Sequence, residues 1–258
     1  MNINWLRAAF AMMLLVAAGC SGTDGGRSGE GSGGPSGESI AARSPEAVPN
    51  ARQEVRLGFA PASADRDLVR EVDRLDEGAE IVKEQAAAGG TALFYVKADD
   101  AEHVYAGFRT PQGLFDLGAV GGRQNVWDDE TLSAAEIDVD GETLLRTKGV
   151  YGANAPVQRY FAINEGAIVP VLRIDVGHAV PADLDGDGTT EFVASHGTPL
   201  RTYIYKRESG GYFTADLNEA LQAFSVLYGE DGTFLAQFEG EPETVRYEYD
   251  AGTLRPAD

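Results

Sequence analysis

Beyond residue 53, the apolar residues mostly alternate with polar ones or form short clusters. An alternation of period two places apolar side chains on one face of a strand, so the pattern predicts β-structure. Turn-forming sequences such as Pro111-Gln112-Gly113 and Glu230-Asp231-Gly232 separate the apolar runs. The predicted strands are 91–96, 104–109, 114–118, 143–146, 158–163, 168–174, 191–194, 201–206, 223–227, 233–238 and 244–249.

Helical periodicity occurs at two places only. Leu68, Val72 and Leu75 recur at i, i+4 and i+7 behind a candidate Ser63 cap, which predicts one short N-terminal helix over residues 64–75. A second short helical turn is expected over residues 214–221. The predicted fold class is therefore mainly β.

An internal repeat organises the predicted strands. Residues 135–141 align with residues 182–188, 47 positions further along, and an apolar strand, a glycine, a proline and an aromatic strand follow each copy. Acidic residues at 99–102 and 230–232 are candidates for two eroded copies. A period of 40 to 50 residues with four short strands is typical of a propeller blade. We expect antiparallel, blade-like repeats that are few in number, in a closed or an open arrangement.

The first 20 residues have the pattern of a secretory signal. Residues 1–19 combine a cationic start with an apolar run too short to span a bilayer, and small residues precede Cys20. Val16-Ala17-Ala18-Gly19-Cys20 resembles the lipobox of bacterial lipoproteins, which implies fatty acylation at Cys20 and cleavage before it. The resemblance implies an extracytoplasmic protein anchored by lipid to the bacterial cell membrane. The alternative is an ordinary signal peptide followed by an unrelated cysteine.

Residues 20–53 form the next segment. They are rich in glycine and serine and almost lack large apolar residues, so they cannot bury enough surface to offset the entropy of the chain. We interpret this segment as a disordered tether that carries lipidated Cys20. The folded, β-rich domain is expected over residues 54–258.

Charge narrows the classes of partner. The 258 residues include 41 Asp and Glu against 21 Lys and Arg, a formal net charge of -20. Such a surface repels a phosphate backbone, which argues against nucleic acid as a partner. The carboxylates suit a protein that meets divalent cations, and they equally suit a surface that only keeps the protein soluble. A single cysteine excludes an internal disulfide and a cysteine metal cluster.

The segment 183–191 is the most specific motif. Asp183, Asp185 and Asp187 occupy positions 1, 3 and 5 of a loop in which carboxylates converge on a hard cation, and position 7 offers the backbone carbonyl of Thr189. Glu191, at position 9, can complete the shell. An EF-hand requires a glutamate at position 12 and flanking helices, whereas Ala194 and apolar strands occur here. The motif predicts a structural calcium site in a β-hairpin loop, with a metal-free acidic turn as the alternative.

The same residues carry a family resemblance. Segment 183–191, followed by Phe192-Val193-Ala194, resembles the FG-GAP/VCBS repeat of integrin-α-type propellers, and the stretch from residue 78 is similar to uncharacterised lipoproteins of Bacillus and Paenibacillus. The resemblance implies that the calcium ligands are Asp183, Asp185, Asp187, Thr189 and Glu191. A possible second, weaker metal site comprises Glu136, Asp138 and Asp140, but Leu144 occupies its position 9.

Two function classes remain after a search for catalytic motifs. Residues 185–189 match the DxDGT motif of haloacid-dehalogenase-type phosphotransferases, but they lack the α/β context that this motif requires. Ser195 and His196 are adjacent, so their side chains point to opposite faces of a strand and cannot act there as a nucleophile and its base. His178 and His196 flank the acidic loop and can meet beside it, whereas His103 is distant in sequence. We expect no catalytic residues and a calcium-stabilised module that binds an envelope protein or glycan. The alternative is a metal-dependent envelope hydrolase that uses the 183–191 cluster.

Overall fold

The computed structural model describes residues 52–124, 127–152, 155–208 and 210–257. The predicted signal peptide, Cys20 and the tether lie outside the described residues. Three short strands come first in the described chain: β1 (Val55–Arg56), β2 (Ala60–Pro61) and β3 (Arg70–Val72). They belong to residues 55–72, which we call the N-terminal strap.

Sixteen further strands form four sheets, each built on an antiparallel meander of four consecutive strands. The first sheet contains β4 (Glu80–Ala87), β5 (Gly90–Val96), β6 (His103–Arg109) and β7 (Leu114–Gly122); the second contains β8 (Ser133–Val139), β9 (Glu142–Tyr151), β10 (Ala155–Asn164) and β11 (Ala167–Ile174). The third contains β12 (His178–Ala182), β13 (Glu191–His196), β14 (Arg201–Glu208) and β15 (Gly211–Asp216); the fourth contains β16 (Ser225–Tyr228), β17 (Phe234–Gln237), β18 (Thr244–Asp250) and β19 (Thr253–Pro256).

This architecture confirms the mainly β class and the blade-like repeats. The aligned segments 135–141 and 182–188 hold equivalent places, because each covers the end of the first strand of a meander and the turn that follows it. The acidic turn at 230–232 occupies the same place in the fourth sheet. The acidic residues 99–102 are not an equivalent copy, since they join the second and third strands of the first sheet.

Period-two alternation places each sheet against its neighbours. Along β13, Phe192 and Ala194 belong to the core shared with the second sheet, whereas Val193 belongs to the core shared with the fourth sheet. The second sheet likewise directs Leu144 towards the third sheet and Leu145 towards the first. The two middle sheets are therefore buried on both faces. Of the three core clusters found among the described residues, none joins the first sheet to the fourth.

The first and second sheets approach each other closely at Gly149. A Cβ atom added there would lie 1.8 Å from the carbonyl oxygen of Val120. The glycine aligned with it in the repeat, Gly197, has another purpose, because it adopts a φ of +85° in the turn after β13. The repeat thus keeps its glycines although their physical roles differ.

The N-terminal strap runs along the fourth strand of every meander. β1 pairs with β19, β2 pairs with β15 and β3 pairs with β7. Between β2 and β3, the carbonyl of Ser63 accepts a hydrogen bond of 2.8 Å from the amide of Arg173 on β11. The strap consequently crosses the fourth, third, second and first sheets in that order, and it gives each edge strand a backbone partner.

The predicted helix over residues 64–75 is wrong. The segment instead contains β3, in which Val72 pairs with Leu114, and a turn in which Asp65 has a φ of +50°. Long-range pairing with β7 outweighs the local i, i+4, i+7 pattern. The helix of the described chain is α1 (Leu217–Leu221), which lies within the predicted helical turn and is capped by the side chain of Asp216. None of the described residues belongs to a helix with the length and hydropathy needed to cross a bilayer.

A partly buried ion cluster fastens the strap to the second sheet. Asp65 accepts from the Nη1 atom of Arg173 at 2.9 Å and lies 3.5 Å from the Nη2 atom of Arg159. Arg159 is buried in β10, and its Nη1 atom donates to the carbonyls of Leu117 and Ala119 on the first sheet. Burial lowers the pKa of Arg159, and the nearby Asp65 carboxylate opposes that shift. Asp65 therefore compensates a cation that lies between two sheets.

We expect Asp65→Asn to lower the free energy of unfolding by about 1 to 3 kcal/mol, because the buried Arg159 charge loses its counter-ion. Asparagine tolerates the positive φ of this position, so the variant tests charge rather than backbone geometry. Urea unfolding of the full chain gives the measurement. Asp67→Asn, at an exposed position of the same strap, is the control and should change stability by less than about 0.5 kcal/mol. Equal stability of the two variants would contradict this role of Asp65.

Candidate metal centre

The acidic loop connects β12 to β13 and brings three carboxylates together. One side-chain oxygen from each of Asp183, Asp185 and Asp187 lies within 4.8 Å of the others. Gly186 and Gly188 adopt φ values of +73° and +85°, a left-handed conformation that side chains rarely occupy. These two glycines let the chain turn sharply enough for alternate aspartates to point inward. The described residues contain no other such group of acidic, histidine or cysteine side chains.

Backbone amides of the loop fix the three carboxylates. Asp183 accepts from the amide of Gly188 at 3.1 Å, Asp185 from that of Asp187 at 3.3 Å, and Asp187 from that of Thr189 at 2.6 Å. These bonds orient the aspartates before any cation arrives. A preformed set of anionic oxygens is the arrangement that a hard cation such as Ca²⁺ prefers.

Glu191 lies behind this group rather than within it. Its carboxylate accepts a hydrogen bond of 3.0 Å from the amide of Leu184, and the residue is only 4% exposed. Burial, with smaller contributions from the charges of Asp185, Asp187 and Asp183, raises the pKa of Glu191 to about 7, although the hydrogen bond from the Leu184 amide opposes the shift. In the structure Glu191 closes the base of the loop, so coordination by its carboxylate would require it to turn away from Leu184.

The loop also contacts the sheets on either side. The amide of Thr190 donates to Asp140, in the β8–β9 turn of the second sheet, at 2.8 Å. The second carboxylate oxygen of Asp185 accepts from the amide of Ala251, in the β18–β19 turn of the fourth sheet, at 3.0 Å. The acidic loop of the third sheet is therefore hydrogen-bonded to turns of both neighbouring sheets, the second and the fourth. The sequence motif gave no signal for these two partners, because both contacts join residues at least 50 positions apart.

No basic side chain neutralises this cluster within the described part of the chain. Asp183, Asp185, Asp187 and Glu191 make no ion pair with lysine, arginine or histidine there, although ion pairs are numerous elsewhere on the surface. Carboxylates at such short separations repel one another. A bound divalent cation would remove that repulsion, and the donor set of hard oxygens fits calcium better than a soft metal. The described hydrogen bond of Thr189 uses its backbone amide, and its backbone carbonyl stays the predicted calcium ligand.

The second candidate site has a different geometry. Glu136 and Asp138 lie exposed on β8, and Asp138 accepts from the amide of Gly141 at 3.1 Å. Asp140 bonds the Thr190 amide, as described above. The three side chains do not form a group with ligand atoms within 4.8 Å of one another, whereas the three aspartates of the acidic loop do.

The histidines do not assemble beside the acidic loop. His178 faces Ser195 at the other end of the β12–β13 hairpin, four residue pairs from the loop, or about 13 Å along the strand. His196 stacks on Tyr203 with ring centroids 5.9 Å apart, and the Ser195 hydroxyl contacts that of Thr202 at 2.8 Å. His103 contacts Asp100 in the first sheet at 3.0 Å. His178 and His196 could have met beside the loop, but the length of the hairpin separates them from it.

Comparison with known proteins finds no match. The chain matches no protein-family model, no characterised protein and no solved structure. The resemblance to FG-GAP/VCBS repeats therefore rests on the residues of the acidic loop and its following strand, and it stays a prediction.

Glu191→Gln should stabilise the cation-free protein by about 1 to 3 kcal/mol at about pH 8. The glutamate pKa rises from 4.5 in the unfolded chain to about 7 in the folded protein. Above pH 7 the folded state therefore carries a disfavoured buried charge, and that penalty declines as the pH falls from 7 to 4.5. The advantage of the variant should shrink over the same range.

Urea unfolding in EDTA at about pH 8 and about pH 5 measures this difference. Glu136→Gln, at an exposed position of β8, is the matched control and should leave the free energy of unfolding unchanged at both pH values. A Glu191→Gln variant less stable than the wild type at the higher pH would show that the hydrogen bond to Leu184 outweighs the buried charge.

Proposed function

We propose that this protein is a lipid-anchored, extracytoplasmic binding module whose blade-like domain is stabilised by one structural calcium ion. The observation that carries the calcium assignment is the convergence of Asp183, Asp185 and Asp187, whose ligand oxygens lie within 4.8 Å of one another next to buried Glu191. Among the described residues, this cluster has no basic partner. Calcium is the expected ion because every available donor is a hard oxygen. The proposed ligand of the module is an envelope protein or glycan, and nucleic acid is not an expected partner.

The position of the loop supports a structural role for the cation. Asp185 holds the Ala251 turn, and Thr190 is held by Asp140, so the loop lies where the third sheet meets its two neighbours. A cation that fixes Asp185 and its two companions would therefore stabilise contacts of the second and fourth sheets as well. Binding energy of this kind adds directly to folding energy when the site forms only in the folded state.

We expect calcium to raise the melting temperature of the full chain. Extracellular modules bind calcium with Kd values on the order of 0.1 to 1 mM. For a Kd of about 0.1 mM and about 2 mM free calcium, mass action stabilises the fold by about 1.8 kcal/mol, or roughly 4 °C for a domain of this size. Calorimetry in calcium and in EDTA measures the shift.

Asp187→Asn should abolish most of this shift while keeping an oxygen acceptor for the Thr189 amide. Asp187 is a better test than Asp185, because Asp185 also holds the fourth sheet through Ala251. Asp138→Asn, in the equivalent turn of the second sheet, is the matched control and should retain the full shift. Identical melting of the wild type in calcium and EDTA would refute the site. Calcium-dependent hydrolysis of a phosphate ester, glycoside or peptide that Asp187→Asn abolishes, without loss of folding, would favour the hydrolase alternative.

The anchor is tested separately at Cys20, the single cysteine of the chain. We expect Cys20→Ser to abolish incorporation of radiolabelled fatty acid and to move the protein from the membrane fraction to the soluble fraction. Ser21→Ala, at the adjacent position, should leave both properties unchanged. Fatty-acid labelling that persists in Cys20→Ser would exclude this cysteine as the lipidated residue.

A further inference from the structure

A cleft lies between the second and third sheets, and none of its lining residues belongs to the acidic loop. Its cavity has a volume of about 390 Å³, within the size range of small-molecule sites. Val169, Pro170 and Val171 of β11 form one wall, and Tyr212 of β15 forms the facing wall. A neighbouring cavity of about 280 Å³ shares Val171 and Tyr212, so the cleft continues beneath the strap.

The cleft exists because the strap leaves part of β11 without a partner. The strap bonds β11 through the Ser63 carbonyl and the Arg173 amide, and it pairs next with β7 rather than with the earlier residues of β11. Pro170 has no amide hydrogen to offer a neighbouring strand. Val169 is 41% exposed on the face of β11 that it shares with half-buried Val171, whereas the opposite face of the strand is core. An aliphatic group placed against Val169 and Val171 would lose contact with water at little structural cost.

The charged groups of the cleft favour an anion. Arg207 is paired with Glu142, whereas Arg66 makes no ion pair with any described residue. Two guanidinium groups and the carboxylate of Glu142 line the cleft, and Asp140 lies near enough to act on Tyr212. Because Glu142 is paired with Arg207, Arg66 is the lining guanidinium whose ion-pairing capacity is unused among the described residues. Asp65 cannot neutralise Arg66, because Arg173 and Arg159 already hold its carboxylate. A guanidinium group binds a carboxylate through two parallel hydrogen bonds.

Tyr212 provides a second polar feature of the same wall. Its side chain is buried, and its hydroxyl has no hydrogen-bond partner within the described chain. Burial raises the pKa of Tyr212 to about 12, with Arg207 acting against the shift and Asp140 and Glu142 adding to it. The Tyr212 hydroxyl therefore lies in the electrostatic field of the Arg207–Glu142 pair, and no described residue forms a hydrogen bond with it.

We propose that this cleft binds a small aliphatic carboxylate. Arg66, with Arg207 on the lining of the same cleft, holds the carboxylate group, and the aliphatic chain lies along Val169 and Val171. No residue of the acidic loop lines the cleft, so the proposal does not rest on the proposed calcium.

Octanoate and hexanoate are suitable probes for the purified full chain, and NMR titration in EDTA measures their affinities. Octanoate should bind more tightly than hexanoate by up to about fourfold for each added methylene group. Arg66→Gln should weaken octanoate binding by about fivefold or more, because it removes the unpaired guanidinium. Val169→Ser should reduce the gain from hexanoate to octanoate.

Arg56→Gln is the matched control, since Arg56 is an exposed arginine of the same strap, makes no ion pair in the described chain and lies outside the cleft. It should change octanoate affinity by less than about twofold. Because nonspecific binding of octanoate affects both variants equally, the difference between their affinities reports binding at the cleft. Octylammonium, with the same chain and the opposite charge, should not compete with octanoate. Equal effects of Arg66→Gln and Arg56→Gln, or effective competition by octylammonium, would overturn the proposal, and a failure of calcium binding would not.

Discussion

Each of the four meanders ends in an edge strand whose backbone donors and acceptors need partners. An unpaired edge is a template for association with another chain, so proteins cover such edges or interrupt them. Here the N-terminal strap supplies short strands to β19, β15 and β7, and a single carbonyl to β11. The strap also positions Asp65, which compensates Arg159 between the first two sheets. The location of the cleft follows from the same path, because the strap leaves the start of β11 open.

The acidic loop brings a second constraint, which is electrostatic. Its backbone amides hold the aspartates close together, and the absence of an ion pair within the described residues leaves their repulsion unrelieved. Glu191 adds a buried carboxylate whose pKa is raised to about 7. The contacts of the loop with Asp140 and Ala251 place this strain where three sheets meet. Local charge balance and the docking of neighbouring sheets are thus coupled through one loop.

Local sequence patterns predicted the strands that form the cores. All eleven predicted strands overlap observed ones, because two-sided burial requires apolar residues in runs such as Phe192-Val193-Ala194. Patterns failed where pairing is long-range. Val72 matches a helical period, yet it pairs with Leu114. β12 pairs with the next strand, β13, and was missed for a local reason, because Pro181 interrupts its apolar sequence. The three aspartates were identifiable from spacing, whereas Asp140 and Ala251 were not, since tertiary folding alone brings them to the loop. The cleft likewise has no motif.

The pairing of β1 with β19 has a consequence for the order of folding. Val55 pairs with Leu254, so nearly the entire domain separates the two strands in sequence. During synthesis β3 can join β7 once the first sheet has emerged, but β1 has no partner until the last strand is complete. Closing so long a loop is slow relative to forming a meander of neighbouring strands. The first residues of the domain are therefore among the last to reach their native positions, and β19 remains an open edge until they arrive.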